Sequence, residues 1–200
     1  MPETAPYPSD ENVRYKRVIR AAEEMFKRIG FRAATMEMVA REANVAKATL
    51  YSHFKNKDEL FSAVSARMTR TLRGGVETAL ANPGLSLDER LTEAIISKHR
   101  LIFTLMRGSA HAADLFSHTH AIAGDIFAEL DSAILGLLAV AMKGDPQIAP
   151  SADQLARALY FGSAQLASRC ESTAAMEREL RSFAVTYLAG ARTLAHQLTN

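Results

Sequence analysis

The amino-acid sequence predicts an all-α protein of about nine helices. Apolar residues recur three and four positions apart through most of the chain, which is the spacing of one helix face. Several of these segments follow a Ser, Thr or Asn that has Glu or Gln three positions later, the pattern of a helix-capping box. No segment alternates polar and apolar residues as a half-buried strand does. With 200 residues, of which 48% are hydrophobic, the chain is long enough to bury a sizeable core.

The first predicted helix runs from about Asn12 to Ile29 and follows a tail, residues 1–10, that we expect to be disordered. Gly30 suits the left-handed backbone position that ends many helices. Basic residues stand near the helix start, where the helix dipole disfavours cations. They indicate either nearby phosphates or an ordinary solvated face, and they are Arg14, Lys16, Arg17 and Arg20.

Two short helices joined by a tight turn are predicted next. Thr35 can cap the first of them with its hydroxyl. That helix ends near Asn44, a residue that tolerates the left-handed conformation of a sharp turn. The second helix runs from Ala46 to Phe54. The arrangement is that of a helix-turn-helix unit, and an ordinary solvated helix hairpin is the alternative interpretation.

The second short helix and the charge distribution both indicate contact with a polyanion. Once Leu50 and Phe54 pack on the neighbouring helix, polar groups that suit phosphates and base edges remain outside. Residues 11–57 hold 11 Lys and Arg against 5 Asp and Glu, a net charge of +6, whereas residues 58–200 carry −2. A basic end on a near-neutral body is expected of a protein that touches nucleic acid with one end. A nonspecific basic surface explains the same numbers.

This stretch resembles the DNA-binding domain of TetR-family transcriptional regulators. The matching blocks keep their spacing over roughly the first third of the chain. They are Ala21–Phe26, Gly30-Phe31, Thr35-Met36, Val39-Ala40, Ala43, Thr49–Tyr51, Phe54-Lys55 and Lys57–Leu60. Two positions depart from the family pattern. Asn44 replaces the usual Gly and can still make the turn, whereas Ala46 replaces a common Ser or Thr and lacks a side-chain cap.

The resemblance implies a helix-turn-helix DNA-binding domain over residues 11–60 and a helical ligand-binding and dimerisation domain over residues 61–200. It assigns the phosphates mainly to Thr35, Tyr51, His53, Lys55 and Lys57. It assigns bases or groove edges to Lys47, Ala48, Thr49 and Ser52. Lys57 lies at the start of a helix capped by Asn56, with Glu59 three positions later. A cation at that end of a helix indicates an anionic partner.

Further helices are predicted through the rest of the chain. The helix after Asn56 continues to about Ala81, and Gly74-Gly75 inside it either allows close packing or forms a bendable link. Capping boxes begin at Ser86 and Ser151, and Ser172-Thr173 caps the last helix. The expected ranges are Ser86–Gly108, Ser109–Phe116, Ala121–Lys143, Ser151–Cys170 and Ser172–Gln197.

The last two helices are the expected dimer interface. Small and apolar residues line one side of the first of them, and they are Leu155, Leu159, Gly162, Leu166 and Cys170. The resemblance implies a homodimer through a four-helix bundle, although part of this surface must also be intramolecular core. A dimer allows two helix-turn-helix units to recognise a palindrome with half-sites about one helical turn apart.

The middle of the body is the expected sensor of a small-molecule effector. Aromatic and flexible apolar residues mix there with polar groups, as they do in ligand pockets. The candidates are Phe103, Met106, His111, Phe116, His118, Phe127, Tyr160, Phe161 and Gln165. Ordinary core packing is the alternative for the large apolar ones. His111, Asp114 and His118 share a helix face and form a weak candidate zinc or nickel site, which scattered surface histidines explain equally well.

The sequence predicts a ligand-responsive DNA-binding regulator, most simply a repressor, rather than an enzyme. It lacks a Gly-rich phosphate loop and the common hydrolase motifs, and we predict no cofactor. No apolar run approaches the roughly 20 residues of a membrane span. We expect no signal peptide and a cytoplasmic location, since the lone Cys170 fits a reducing compartment. The alternative function is a helical ligand- or metal-binding protein with only nonspecific DNA affinity.

Overall fold

A computed structural model describes residues 10–107, 111, 124–148 and 151–199, and this part of the chain is helical without any strand. The prediction of an all-α fold is therefore confirmed. The helices are α1 (Asp10–Ala33), α2 (Met36–Glu42), α3 (Lys47–His53), α4 (Lys57–Leu80), α5 (Leu87–Arg107), α6 (Gly124–Met142), α7 (Ala152–Ala167) and α8 (Thr173–Thr199). The short helix predicted at Ser109–Phe116 lies outside the described residues, apart from His111. Within the described ranges, no helix is both long and apolar enough to cross a membrane.

The described residues divide into two compact units. The first contains residues 10–68 together with Arg107, His111 and Gly124, and the second contains residues 69–106, 125–148 and 151–199. The division falls within α4, so this helix contributes residues to both units. The domain limits inferred from the sequence, at residues 10 and 60, stay a prediction.

The core of the first unit is built on α1. Val18 and Ala22 are fully buried, and the rings of Phe26, Phe31 and Phe61 pack with centroids 4.9–5.7 Å apart. Gly30 has the expected positive φ, 83°, but its ψ of 161° is extended. The helix therefore breaks after Ile29, as the sequence indicated, although the backbone of Gly30 is extended rather than left-handed helical. The chain kinks at Gly30 and makes one further helical turn to Ala33, which brings Phe31 into the aromatic cluster.

The second unit packs α7 closely against α8. Gly162 makes this approach possible because a Cβ atom there would lie 2.8 Å from Cζ of Phe183. Arg192 on α8 donates to Asp88 at 2.6 and 2.8 Å and to Asp145 at 3.0 Å. The guanidinium thereby ties the last helix to the start of α5 and to the turn after α6. Leu91, Ile134, Leu159, Leu180 and Leu188, all fully buried, belong to this core.

Most of the predicted helix caps are present. The Thr35 hydroxyl accepts from the Met38 amide at 3.2 Å, Ser86 and Glu89 form a reciprocal capping box, and the Ser172 hydroxyl accepts from the Ala175 amide at 3.1 Å. The cap predicted at Ser151 is wrong, because its side chain makes no capping hydrogen bond and its backbone, at ψ 12°, is not extended. An N-cap residue needs extended backbone to turn its hydroxyl toward the first amides.

The box predicted at the start of α4 is only half formed. Asn56 Oδ1 accepts from the Glu59 amide at 2.8 Å, as predicted. The Glu59 carboxylate, however, accepts from the Lys55 amide at 2.7 Å instead of reaching the Asn56 amide. It therefore fastens the chain one residue earlier, in the connection between α3 and α4.

Candidate nucleic-acid interface and buried polar cluster

The turn between α2 and α3 has the predicted left-handed residue. Asn44 has φ 50°, and it is the only residue other than glycine with a positive φ in the described ranges. The Asn44 amide donates to Arg41 O at 3.1 Å, and the Val45 amide donates to Ala40 O at 3.0 Å. These bonds close α2 and send the chain directly into α3, so the helix-turn-helix geometry is confirmed.

Arg17 from α1 holds this turn in place. Its Nη2 atom donates to Ala43 O at 2.6 Å and to Asn44 O at 2.9 Å. These carbonyls lie at the C-terminal end of α2, where acceptors lack helical partners and the helix dipole is negative. The exposed Arg17 guanidinium therefore caps α2 in the structure, and the contact of this basic cluster with phosphates stays a prediction.

The exposed side of α3 carries most of the predicted DNA contacts. Lys47, Ala48, Tyr51 and Ser52 are exposed, and Thr49 is half-buried. Lys47 Nζ lies 2.5 Å from Glu37 Oε1 and 5.6 Å from the centre of the Tyr51 ring. The hydrogen bond between them raises the pKa of Lys47 and lowers the pKa of Glu37. Because both side chains face solvent, such a pair contributes little to stability, and another anion can replace Glu37.

His53 and Lys55 lie at the end of this surface. The His53 ring is half-buried and meets the Tyr15 ring of α1 edge-on, with centroids 5.9 Å apart. Lys55 is exposed. Thr35, at the start of α2, is exposed while its hydroxyl caps the helix. At the start of α3, Ala46 offers no side-chain acceptor, so the first amides of the helix lack a side-chain cap, as the sequence indicated.

Lys57 lies at a different kind of site from the other basic candidates. Its Nζ atom donates to the backbone carbonyls of Phe31, Arg32 and Ala34 at 2.8, 3.1 and 2.9 Å. The ammonium also lies 4.5 Å from the centre of the Phe31 ring. All three ammonium protons therefore have acceptors at the C-terminal end of α1. The acceptors of this cation in the structure are carbonyl oxygens of the protein itself, and its contact with a phosphate stays a prediction.

The second unit contains a buried polar cluster that the sequence did not single out. Tyr160 on α7 is 2% exposed, and its hydroxyl donates to Asp131 Oδ1 on α6. Lys98 on α5 is 6% exposed, and its Nζ lies 3.4 Å from the centre of the Tyr160 ring. Burial lowers the pKa of Lys98 to about 8, against the opposing effect of the Asp131 charge. Burial, with the bond to Asp131, raises the pKa of Tyr160.

His99 and Ser163 extend the cluster between the same two helices, α5 and α7. Ser163 Oγ donates to Tyr160 O at 2.7 Å, which uses its single proton. With that bond formed, His99 Nε2, 3.0 Å from Ser163 Oγ, is placed to donate to the same hydroxyl oxygen as the Nε2–H tautomer. Burial, followed by the charge of Lys98, lowers the pKa of His99 to about 3.

The structure scatters the other predicted effector contacts. Phe103 and Phe127 are half-buried, Gln165 is exposed, and Phe161 is 49% exposed with the Arg157 guanidinium 5.7 Å from its ring. His111 belongs to the first unit, where its ring approaches Gly30. Phe116, His118 and the side chain of Met106 lie outside the described residues. Of the residues predicted to contact an effector, Tyr160 alone belongs to the buried cluster as the described residues show it.

Sequence reasoning missed Lys98, Asp131 and Ser163 as members of a site. A signal for Lys98 was available. It stands three residues after Ile95 and four before Ile102, on the apolar face of a helix, where a charged residue is unusual. Asp131 and Ser163 gave no comparable signal, because their importance comes only from Tyr160, which one contacts through its hydroxyl and the other through its carbonyl.

The predicted dimer residues divide between the core and the surface of the second unit. Leu159 is fully buried within its own chain, and Gly162 packs against Phe183. Leu155, Leu166 and Cys170 are half-buried. The outer sides of α7 and α8 also expose large apolar residues, Phe161, Val185 and Leu194, which are 49, 52 and 62% exposed.

Only one of the three residues of the weak candidate metal site lies in the described part of the chain. His111 is described, whereas Asp114 and His118 lie outside the described residues. In the ranges that the structure covers, no three His, Cys, Asp or Glu side chains are grouped closely enough to hold a metal ion.

Comparison with known proteins relates the chain to one group. Residues 18–64 match the family model described as bacterial regulatory proteins, tetR family. Over 127 residues the chain is 32% identical to the uncharacterized HTH-type transcriptional regulator YhgD of Bacillus subtilis strain 168, covering 64% of this chain and 57% of that protein. Over 73 residues it is 42% identical to the HTH-type transcriptional activator FasR of Mycolicibacterium smegmatis, covering 36% of this chain and 32% of that protein.

A solved structure matches over almost its whole length. A TetR-like transcriptional regulator from Rhodococcus sp. RHA1 is 26% identical, with a TM-score of 0.64 over 93% of this chain and 99% of that one. The two sequence relatives are matched over shorter stretches, since this chain spans just over half of YhgD and about a third of FasR. The family model covers the helix-turn-helix region, and the structural match covers nearly the whole chain.

Proposed function

Because the chain belongs to the TetR family of bacterial regulatory proteins, we propose that it is a DNA-binding transcriptional regulator that recognises a palindromic operator as a homodimer. The observation that carries the proposal is the surface of α3. Lys47, Tyr51 and Ser52 stand exposed on a seven-residue helix that Arg17 and the Asn44 turn hold firmly against α1 and α2. A short helix that presents these groups is suited to the major groove.

Each exposed group of α3 has a distinct role in this proposal. Lys47 exchanges the Glu37 carboxylate for a phosphate or for the acceptor atoms of a base edge. The Ala48 methyl group contacts a thymine methyl, and the Tyr51 hydroxyl donates to a phosphate. Thr35, Ser52, His53 and Lys55 complete the contact surface. Lys57 already donates to three backbone carbonyls. In this proposal it therefore acts on DNA only through the long-range electrostatic attraction of its charge.

The homodimer is proposed to form through the outer faces of α7 and α8. Phe161, Val185 and Leu194 expose apolar surface there, which a dimer contact would bury. Leu155, Leu166 and Cys170 would add half-buried surface to the same contact. A two-fold dimer places two copies of α3 against half-sites about one helical turn apart.

The proposed response to an effector is a shift between two populations of the dimer. A small molecule that binds the second unit favours a conformation in which α4 sets the two recognition helices at the wrong spacing. Effector and operator then oppose each other through a reciprocal coupling free energy, typically about 1–3 kcal/mol. We propose repression as the direction of regulation; FasR, by its name, is an activator.

The experiment that tests this function is selection of bound sequences from a random double-stranded DNA pool, followed by affinity measurements at several salt concentrations. Enrichment of one palindrome by a species that sediments as a dimer is the expected result. If no sequence is enriched and affinity falls equally for all DNA as salt rises, binding is electrostatic only. The chain is then a helical ligand-binding protein with a basic surface, and the proposal is wrong.

A further inference from the structure

Lys98 is placed where a lysine is costly. It lies on the buried face of α5, one turn from Ile95 and one from Ile102, and its side chain is almost completely covered. A buried ammonium is normally paired with a carboxylate or fully hydrogen-bonded. In the part of the chain that the structure describes, neither condition holds: its contact is the face of the Tyr160 ring, 3.4 Å from Nζ.

The carboxylate whose charge acts on Lys98 has its hydrogen bond with another residue. Asp131 accepts the hydroxyl proton of Tyr160 and acts on Lys98 only through its charge, without a salt bridge. His99, the next residue of α5, is directed to Ser163. The aromatic face stabilises the cation in part, and the N–H donors that do not face the ring have no acceptor among the described residues.

From this geometry we infer that Lys98 is the anion-binding residue of the effector site, and that the effector is a small organic anion with an apolar body. The inference rests on the proposed function for its regulatory meaning. The apolar body follows from helical spacing. Half-buried Phe127 stands one turn from Asp131 on α6, and half-buried Ile102 stands one turn from Lys98 on α5. An anionic head at Lys98 would therefore be bordered by apolar turns of both helices.

An ammonium kept for a ligand has a signature that a structural lysine lacks. Lys98→Met retains the length of the side chain and removes the buried charge, so we expect it to raise the thermal unfolding midpoint of the ligand-free protein. A lysine that holds the fold together would, on substitution, lower that midpoint. Lys143→Met is the matched control, because Lys143 is an exposed lysine of the same unit, 3.4 Å from Asp153.

The decisive experiment measures the unfolding midpoint of the wild type and both variants with four probes that share an eight-carbon chain: octanoate, octyl phosphate, octylamine and octanol. Linear carboxylates of two to sixteen carbons are then tested to extend the octanoate measurement to other chain lengths. At about ten times its dissociation constant, a bound anion should raise the midpoint of the wild type and of Lys143→Met by about 3 °C or more. Lys98→Met should show no rise. Octanoate and octyl phosphate together distinguish a carboxylate from a phosphate head.

Three results would overturn the inference. The first is that Lys98→Met lowers the unfolding midpoint of the ligand-free protein. The second is that no anion stabilises the wild type more than Lys98→Met, and the third is that octanol or octylamine acts as strongly as the anions. The selected DNA palindrome separates these failures from failure of the proposed function. If the proteins bind the palindrome while no anion raises the unfolding midpoint, the proposed regulatory function is supported and the assignment of Lys98 is wrong. If anions bind through Lys98 but no palindrome is selected, the anion site is supported and the proposed regulatory function is wrong.

Discussion

Substitution of Lys57 tests whether its ammonium holds the end of α1. In Lys57→Met the side-chain stem remains, while the carbonyls of Phe31, Arg32 and Ala34 lose their shared donor. Hydrogen bonds from a charged donor contribute about 1.5–3 kcal/mol each when water cannot replace them. Water reaches this half-buried site, and the cation–π contact with Phe31 adds about 0.5–1 kcal/mol. We expect a total loss of about 2 kcal/mol in the free energy of unfolding.

The assay is urea unfolding of the variant beside Lys55→Met, which removes an exposed lysine two positions away. Lys57→Met should unfold at a lower urea concentration with an unchanged m-value, and Lys55→Met should match the wild type. The salt dependence of DNA binding then tests whether each lysine contacts a DNA phosphate. A lost phosphate contact reduces the slope by about 0.9, which we expect for Lys55→Met. If Lys57→Met unfolds at the wild-type midpoint, the capping argument is refuted.

Four further outcomes follow from the same structure. Tyr51→Ala should weaken operator binding at least tenfold, by about 1.4 kcal/mol, in fluorescence anisotropy, and equal affinity would remove α3 from the interface. Ala46→Ser should supply the missing cap of α3 and raise the free energy of unfolding by about 1 kcal/mol; urea unfolding of the two proteins checks this. A Cβ at Gly74 meets nothing within 4 Å, so Gly74→Ala should stabilise α4 by up to about 1 kcal/mol, and an unchanged effector response would argue against a bendable link. The pKa of Lys98 is about 8 in the folded protein against 10.5 for the ordinary side chain, so the unfolded chain binds more protons between these values and stability should rise with pH across that window, by roughly 3 kcal/mol in the limit. Lys98→Met should lack that part of the rise, and parallel pH profiles for the two proteins would contradict it.

Sequence reasoning succeeded where the determining contacts are local. The Thr35, Ser86 and Ser172 caps each involve an amide three residues away. Their geometry therefore depends on residues close in sequence. The Asn44 turn is equally local. Ser151 failed the same reasoning because its backbone takes a different conformation, which the residue types of a capping box do not reveal.

The candidate DNA surface could be predicted in part, because it too depends on local contacts. On a short helix, burial of Leu50 alone decides which side chains remain outside, and α3 exposes Lys47, Tyr51 and Ser52 as the pattern predicts. The pattern could not separate these from Lys57, whose charge and position are equally suited to a phosphate. Only the kink at Gly30, which brings three carbonyls around one ammonium, makes the distinction.

By itself, then, the sequence determined the helical class, the positions of most helices, the helix-turn-helix and its exposed face, because helix periodicity, capping and turn conformation depend on residues within about one helical turn. The tertiary structure alone decided the partners of the charged side chains. Arg17 and Lys57 reach carbonyls 26 residues away, the Tyr160 hydroxyl reaches a carboxylate 29 residues away, and His99 meets a serine 64 residues away. Whether a lysine faces solvent, a helix end or a buried ring depends on how separate helices pack, and packing combines apolar surfaces from the whole of a unit, which no local pattern encodes.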